Sequence, residues 1–171
     1  FASAGHHSGA THEGTQVKHV GFSQMGDPAT VLEVKTEASA ALRPGDVRVK
    51  VLASPINPSD LLQIAGNYGV DPVLPARPGS EGIGRVTEVS ADVQALKVGQ
   101  LVLLASGSAW AEELVASAAG FLPLPDLGPV GAGVIEQLAM AAVNPLTALL
   151  MLTTYTDVAE GQWIAQSAAN S

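Results

Sequence analysis

Apolar and polar positions alternate in short runs through the first two thirds of the chain. QVKHVGF (16–22), VLEVKTE (31–37) and DVRVKVLAS (46–54) each carry partial period-two patterning and predict strands. Turns at Met25-Gly26-Asp27-Pro28 and Arg43-Pro44-Gly45-Asp46 separate them. Asn57-Pro58-Ser59-Asp60 predicts the start of a short helix: Asn caps free N–H groups and Pro is tolerated at the first helical position. LLQIAG continues that helix and Gly66 stops it. A Gly- and Pro-rich loop runs from Asn67 to Gly82. IGRVTEVS (83–90), QLVLLAS (100–106) and Trp110 to Ser117 again predict strands, and LPLPDLGP (122–129) a proline-punctuated connection.

After Gly131 the period lengthens. VIEQLAMAAV (134–143) predicts one helix, and Asn144-Pro145 repeats the capping pattern before LTALLMLTTY (146–155). QWIAQSA (162–168) is a short apolar run and predicts a buried strand. A strand with no sheet left to join implies a second, α/β region beginning there. The first fifteen residues, FASAGHHSGATHEGT, are small, polar and aperiodic; they predict a disordered arm with neither a signal-peptide nor a transit-peptide pattern.

Composition sharpens this outline. The chain has 171 residues, 47% hydrophobic and 14% charged, enough to bury a core. Aromatics are only 4%, so Ala, Val and Leu must fill that core. Sixteen acids against eight bases leave a net charge of −8, which disfavours both nucleic acid and an anionic membrane surface as partners. Cysteine is absent, so disulfides and thiolate metal sites are excluded. No apolar stretch is long enough to span a bilayer.

Several chemistries can be set aside. No G-x-S-x-G elbow exists, and His6, His7, His12 and His19 all precede residue 20, so a Ser-His-Asp triad lacks a held base. His6, His7 and His12 read as a loose tract rather than a metal site. The glycine clusters at 79, 82, 84 and at 128, 131, 133 do not complete G-x-G-x-x-G and read as turns and strand kinks. Tyr68, between Gly66-Asn67 and Gly69, is a competent hydrogen-bond donor on a loop that can approach a ligand closely; the plain alternative is a surface tyrosine.

INPSDLLQIAGNYG (56–69), LPARPGSEGIGRVTEV (74–89), LKVGQLVLL (96–104) and GQWIAQSAANS (161–171) together resemble the medium-chain dehydrogenase/reductase superfamily. The resemblance implies a mainly β, α+β architecture. Residues 16–143 would form a GroES-like catalytic domain, and 144–171 the first helix and strand of an incomplete Rossmann cofactor domain. Zinc members carry a Cys before the first helix and a Gly-His-Glu later. Here the segments read Pro55-Ile56-Asn57-Pro58 and Gly79-Ser80-Glu81, which implies a zinc-free branch. The loop around Tyr68, the helix start at Asn144 and the ending Asn170-Ser171 are most similar to the NADPH-dependent 2-enoyl thioester reductases.

That resemblance implies Tyr68 as the catalytic residue, Asn144, Asn170 and Ser171 as cofactor contacts, NADPH as cofactor and no metal. It implies an enoyl-CoA or enoyl-ACP substrate and a homodimeric parent. Trp110 is either a wall of the acyl pocket or a core strand residue. The alternatives are a zinc-independent NADPH:quinone oxidoreductase and a non-enzymatic GroES-like interaction module. The composition points to a cytoplasmic setting, with the mitochondrial matrix as the other possibility.

Overall fold

The computed structural model of the chain describes residues 14–105 and 107–167. β1 (Gln16–Gly21) and β2 (Glu33–Ala38) pair antiparallel, with Val17 opposite Glu37 and His19 opposite Lys35. Between them lies α1 (Pro28–Val31), a single turn capped by Asp27, whose Oδ1 accepts from Ala29 N at 3.0 Å. The sequence pattern shows a turn here; the Asp-Pro cap winds it into a helical one.

The remaining strands form one antiparallel sheet in the order β6 (Glu113–Ser117), β3 (Asp46–Ala53), β4 (Gly82–Val89), β5 (Leu101–Leu104), β7 (Phe121–Pro123). β1 is stitched to the segment before β6 by Val20 N to Trp110 O at 2.8 Å and Glu112 N to Lys18 O at 2.9 Å. Val47, Val49, Val86, Val102, Leu104 and Phe121 make the main core, so small β-branched residues do the filling that few aromatics could. Gly84 sits where a Cβ would come 2.2 Å from Val49 Cγ1, so close strand packing, not phosphate binding, explains this glycine. β7 runs into the start of the stretch read as a connection: proline at the sheet's edge is compatible with pairing on one side only.

α3 (Ala132–Ala139) packs Ala139 and Leu138 against Ile83 and Leu101. α4 (Asn144–Thr153) has no buried residue; Leu149, Met151 and Leu152 are exposed. No single described helix is long and apolar enough to cross a membrane. The expected strand at QWIAQSA is not formed over 162–167, and Trp163 is 97% exposed. A buried strand exists only when neighbours accept its backbone bonds, and no described strand lies beside this one.

Two titratable side chains of the strands are buried. Arg48, 2% exposed, donates to Glu88 Oε2 at 2.9 Å, Glu113 Oε1 at 2.6 Å and Ala40 O at 2.8 Å. Burial alone would weaken its charge, but the hydrogen bonds to Glu88 and Glu113 outweigh this and raise its pKa above the ordinary arginine value.

His19 is 9% exposed, and its Nδ1 has no hydrogen-bond partner, Glu37 Oε1 lying 3.9 Å away. Arg77 Nη2 takes both Glu37 oxygens, at 2.6 and 2.7 Å. Burial first, then the positive charges of Arg77 and Lys35, hold the imidazole below its ordinary 6.5, against the pull of Glu37. The unfolded chain therefore takes up this proton first. His19 supports the fold fully above about pH 6.5 and loses that support as the pH falls below it. Thermal melts between pH 7.5 and about 5 should show a shallower acid decline in His19→Gln than in the unsubstituted chain.

Candidate active site

α2 (Pro58–Ile64) starts where the sequence places it, with Asn57 as N-cap and Pro58 first in the helix. Asp60 closes the capping box by accepting from Asn57 N through Oδ2 at 3.0 Å. Its other oxygen accepts from Ser80 N at 3.0 Å and from the Ser80 hydroxyl. Asp60 is 1% exposed and Glu81 fully buried.

Glu81 completes the cluster. Oε1 accepts from Asn57 Nδ2 at 3.0 Å, and Oε2 from the backbone N–H groups of Ala142 at 3.1 Å and Val143 at 2.8 Å. Its carbonyl accepts from Ser54 Oγ at 2.7 Å. The two segments that carry metal ligands in zinc members thus converge here, but with Asn57 and Ser80 engaged to carboxylates. Among the described residues no group of three or more metal-binding side chains gathers.

Past α2, Gly66 (φ +75°) and Gly69 (φ +33°) let the chain turn sharply around Asn67 and Tyr68. The Tyr68 side chain is 49% exposed, so its phenol is presented outward rather than used in the core. Gly79 (φ +102°) must be glycine: a Cβ would lie 2.5 Å from Trp110 Cδ1 and 2.7 Å from Trp110 N.

Two concavities flank this cluster. A cleft of about 660 Å³ lies between the loop of Pro72 to Ser80 and the turn of Gly107 and Ser108, with Ser80 in its wall. An apolar groove of about 680 Å³ is lined by Val20, Leu32, Val34, Leu52, Ile56 and Trp110. Trp110 therefore faces a groove, with its indole N–H tied to Pro55 O at 3.0 Å. Tyr68 lines neither space.

A family model for the alcohol dehydrogenase GroES-like domain matches residues 43–144, more than half of the chain. The chain belongs to that family. This GroES-like chain is 40% identical over 164 residues to the human mitochondrial enoyl-[acyl-carrier-protein] reductase, covering 95% of itself and 43% of the relative. Among solved structures, the Etr1p/NADP/crotonyl-CoA complex matches with a TM-score of 0.75 at 32% identity, over 86% of this chain and 46% of that one. An Etr1p/Etr2p heterodimer from Candida tropicalis matches equally well, at 34% identity and over the same shares. A putative NADPH:quinone reductase from Bacillus thuringiensis matches with a TM-score of 0.72 at 34% identity, over 82% of this chain and 41% of that one. The GroES-like chain spans less than half the length of these proteins.

Of the residues the family pattern singles out, Tyr68 lies at the turn after α2 and Asn144 at the head of α4. Asn144 is the first residue of α4 and not its cap; Val143 takes the cap position without a side-chain bond. The Asn144 amide is exposed, and no hydrogen bond within the described residues occupies it. A free amide with both donor and acceptor fits a cofactor bearing hydroxyl, phosphate or carboxamide groups. Asn170 and Ser171 lie outside the described residues, as do His6, His7 and His12. The sequence pattern marks Asp60 as no functional centre and Glu81 only as part of the Gly79-Ser80-Glu81 motif. The signal available was the reciprocal Asn57/Asp60 spacing and the Asn and Ser standing at metal-ligand positions.

Proposed function

We propose that this chain is the catalytic portion of a zinc-free, NADPH-dependent reductase acting on the C2=C3 bond of 2-enoyl thioesters. The observation that carries the reading is the 40% identity, across 95% of the chain, to a mitochondrial enoyl-[acyl-carrier-protein] reductase. The crotonyl-CoA and NADP named in the Etr1p complex supply the substrate class and cofactor. The relative's mitochondrial name favours the matrix over a cytoplasmic setting. The Etr1p/Etr2p pair supports a dimeric parent.

NADPH, when bound, supplies a hydride to the β-carbon of the enoyl group. Asn144 would hold part of the cofactor, with Asn170 and Ser171 as further contacts. Negative charge then builds on the thioester oxygen, and the α-carbon must gain a proton. The Tyr68 hydroxyl orients the substrate and gives or relays that proton, because it is a hydrogen-bond donor on a half-exposed, glycine-flanked turn. The 171 residues alone are expected to turn over almost nothing, since they span under half of the relatives.

The quinone reading is favoured by the match to the Bacillus thuringiensis protein. Offering the full-length protein NADPH with crotonyl-CoA and, separately, a benzoquinone separates the two. The expected result is butyryl-CoA formation with a kcat/KM at least tenfold above that for the quinone. Quinone turnover without saturated thioester would overturn the proposal.

A further inference from the structure

Glu81 spans three elements with one side chain. It precedes β4 and is anchored there by its own carbonyl, which accepts from Ser54 Oγ. One carboxylate oxygen holds Asn57 at the head of α2; the other holds two consecutive N–H groups in the turn that delivers Asn144. The helix from Asn57 leads within a few residues to Tyr68. The proposed proton-donor turn and the proposed cofactor-contacting helix start are therefore both referenced to one buried acceptor.

All three groups facing the carboxylate are donors, so both of its oxygens must accept. An amide in its place, with its oxygen on the Ala142–Val143 turn, puts its NH₂ onto the Asn57 NH₂; Asn57 can answer with its own oxygen only by giving up the capping bond that oxygen accepts from the Asp60 N–H. We infer that Glu81 is a positioning residue that sets Asn144 at the head of α4 for NADPH binding, acting through the Ala142–Val143 turn and never touching the cofactor. This rests on the proposed reading of Asn144 as a cofactor contact.

The inference is tested in the full-length protein by titrating NADPH against its fluorescence, without substrate, beside thermal melts. Glu81→Gln should raise the NADPH Kd roughly tenfold, the scale of one mismatched buried hydrogen bond. Phe121→Leu, in the core away from the cluster, serves as a control of comparable loss in melting temperature and should bind within about twofold of wild type. The double change Asn57→Asp with Glu81→Gln reverses donor and acceptor across one bond at constant charge, leaving the amide oxygen for Ala142 and Val143. It should return the Kd to within about threefold of wild type.

Wild-type affinity in Glu81→Gln, an equal loss in Phe121→Leu, or no recovery in the double variant would each overturn the inference. If Glu81→Gln does not fold, Asn57→Asp alone takes its place. It sets carboxylate against carboxylate and must bind NADPH more weakly than the double variant, or the inference fails. A wild-type protein that does not bind NADPH at all would instead sink the functional reading, and the inference with it.

Discussion

Tyr68→Phe should lower kcat for 2-enoyl thioester reduction by about 10²- to 10⁴-fold, the usual contribution of a positioned proton donor. The substitution removes one oxygen from a side chain that is half exposed and absent from the core, so the melting temperature should barely move. The glycines on either side keep their backbone angles, so the turn itself is unaltered. Stopped-flow decay of NADPH absorbance in the full-length protein, with melts of the same samples, checks both halves of the expectation. A change in kcat of less than about twofold would remove Tyr68 from the chemistry. A rise in KM at constant kcat would reduce it to substrate binding alone.

Arg48→Met carries the second large effect, and it falls on stability. The methionine keeps most of the stem's packing but withdraws the cation that Glu113, Glu88 and the Ala40 carbonyl face. Removing one partner of a buried ion pair costs about 3–5 kcal/mol, because the other is left uncompensated. Glu88 is 39% exposed at its side chain and water screens it, so the cost should sit near the lower end, about 3 kcal/mol. Glu113, at 16%, is the group left stranded. Adding Glu113→Gln to Arg48→Met should recover part of the loss. Urea denaturation read by circular dichroism measures both; a loss under about 1 kcal/mol would mean the pair is solvated.

Arg48 also marks where the sequence pattern stops being a guide. In Val47-Arg48-Val49 the alternation assigns arginine to water, yet all three of these residues of β3 are buried. The cover over Arg48 comes from the segment around Ser39 and Ala40, whose arrival on that face no local pattern encodes. By contrast β3, β4, β5 and α2 are legible, because alternation and capping are local properties. The same locality misled at QWIAQSA, where apolar character predicts a strand but strand formation needs a neighbour to pair with. At the candidate site, Tyr68 and the Asn57 cap could be read from the chain. The pairing of Asp60 with Ser80 and of Glu81 with Asn57 and Val143 could not, because it joins residues 20, 24 and 62 positions apart.

The proposed reaction is defined by where the hydride goes. The full-length protein would be given NADPH carrying deuterium at the transferable C4 position, with crotonyl-CoA in ordinary water, and the product examined by NMR. The expected product is butyryl-CoA with deuterium at C3 and a solvent-derived proton at C2. Deuterium at C2, or consumption of the labelled NADPH without a deuterated acyl product, would contradict it.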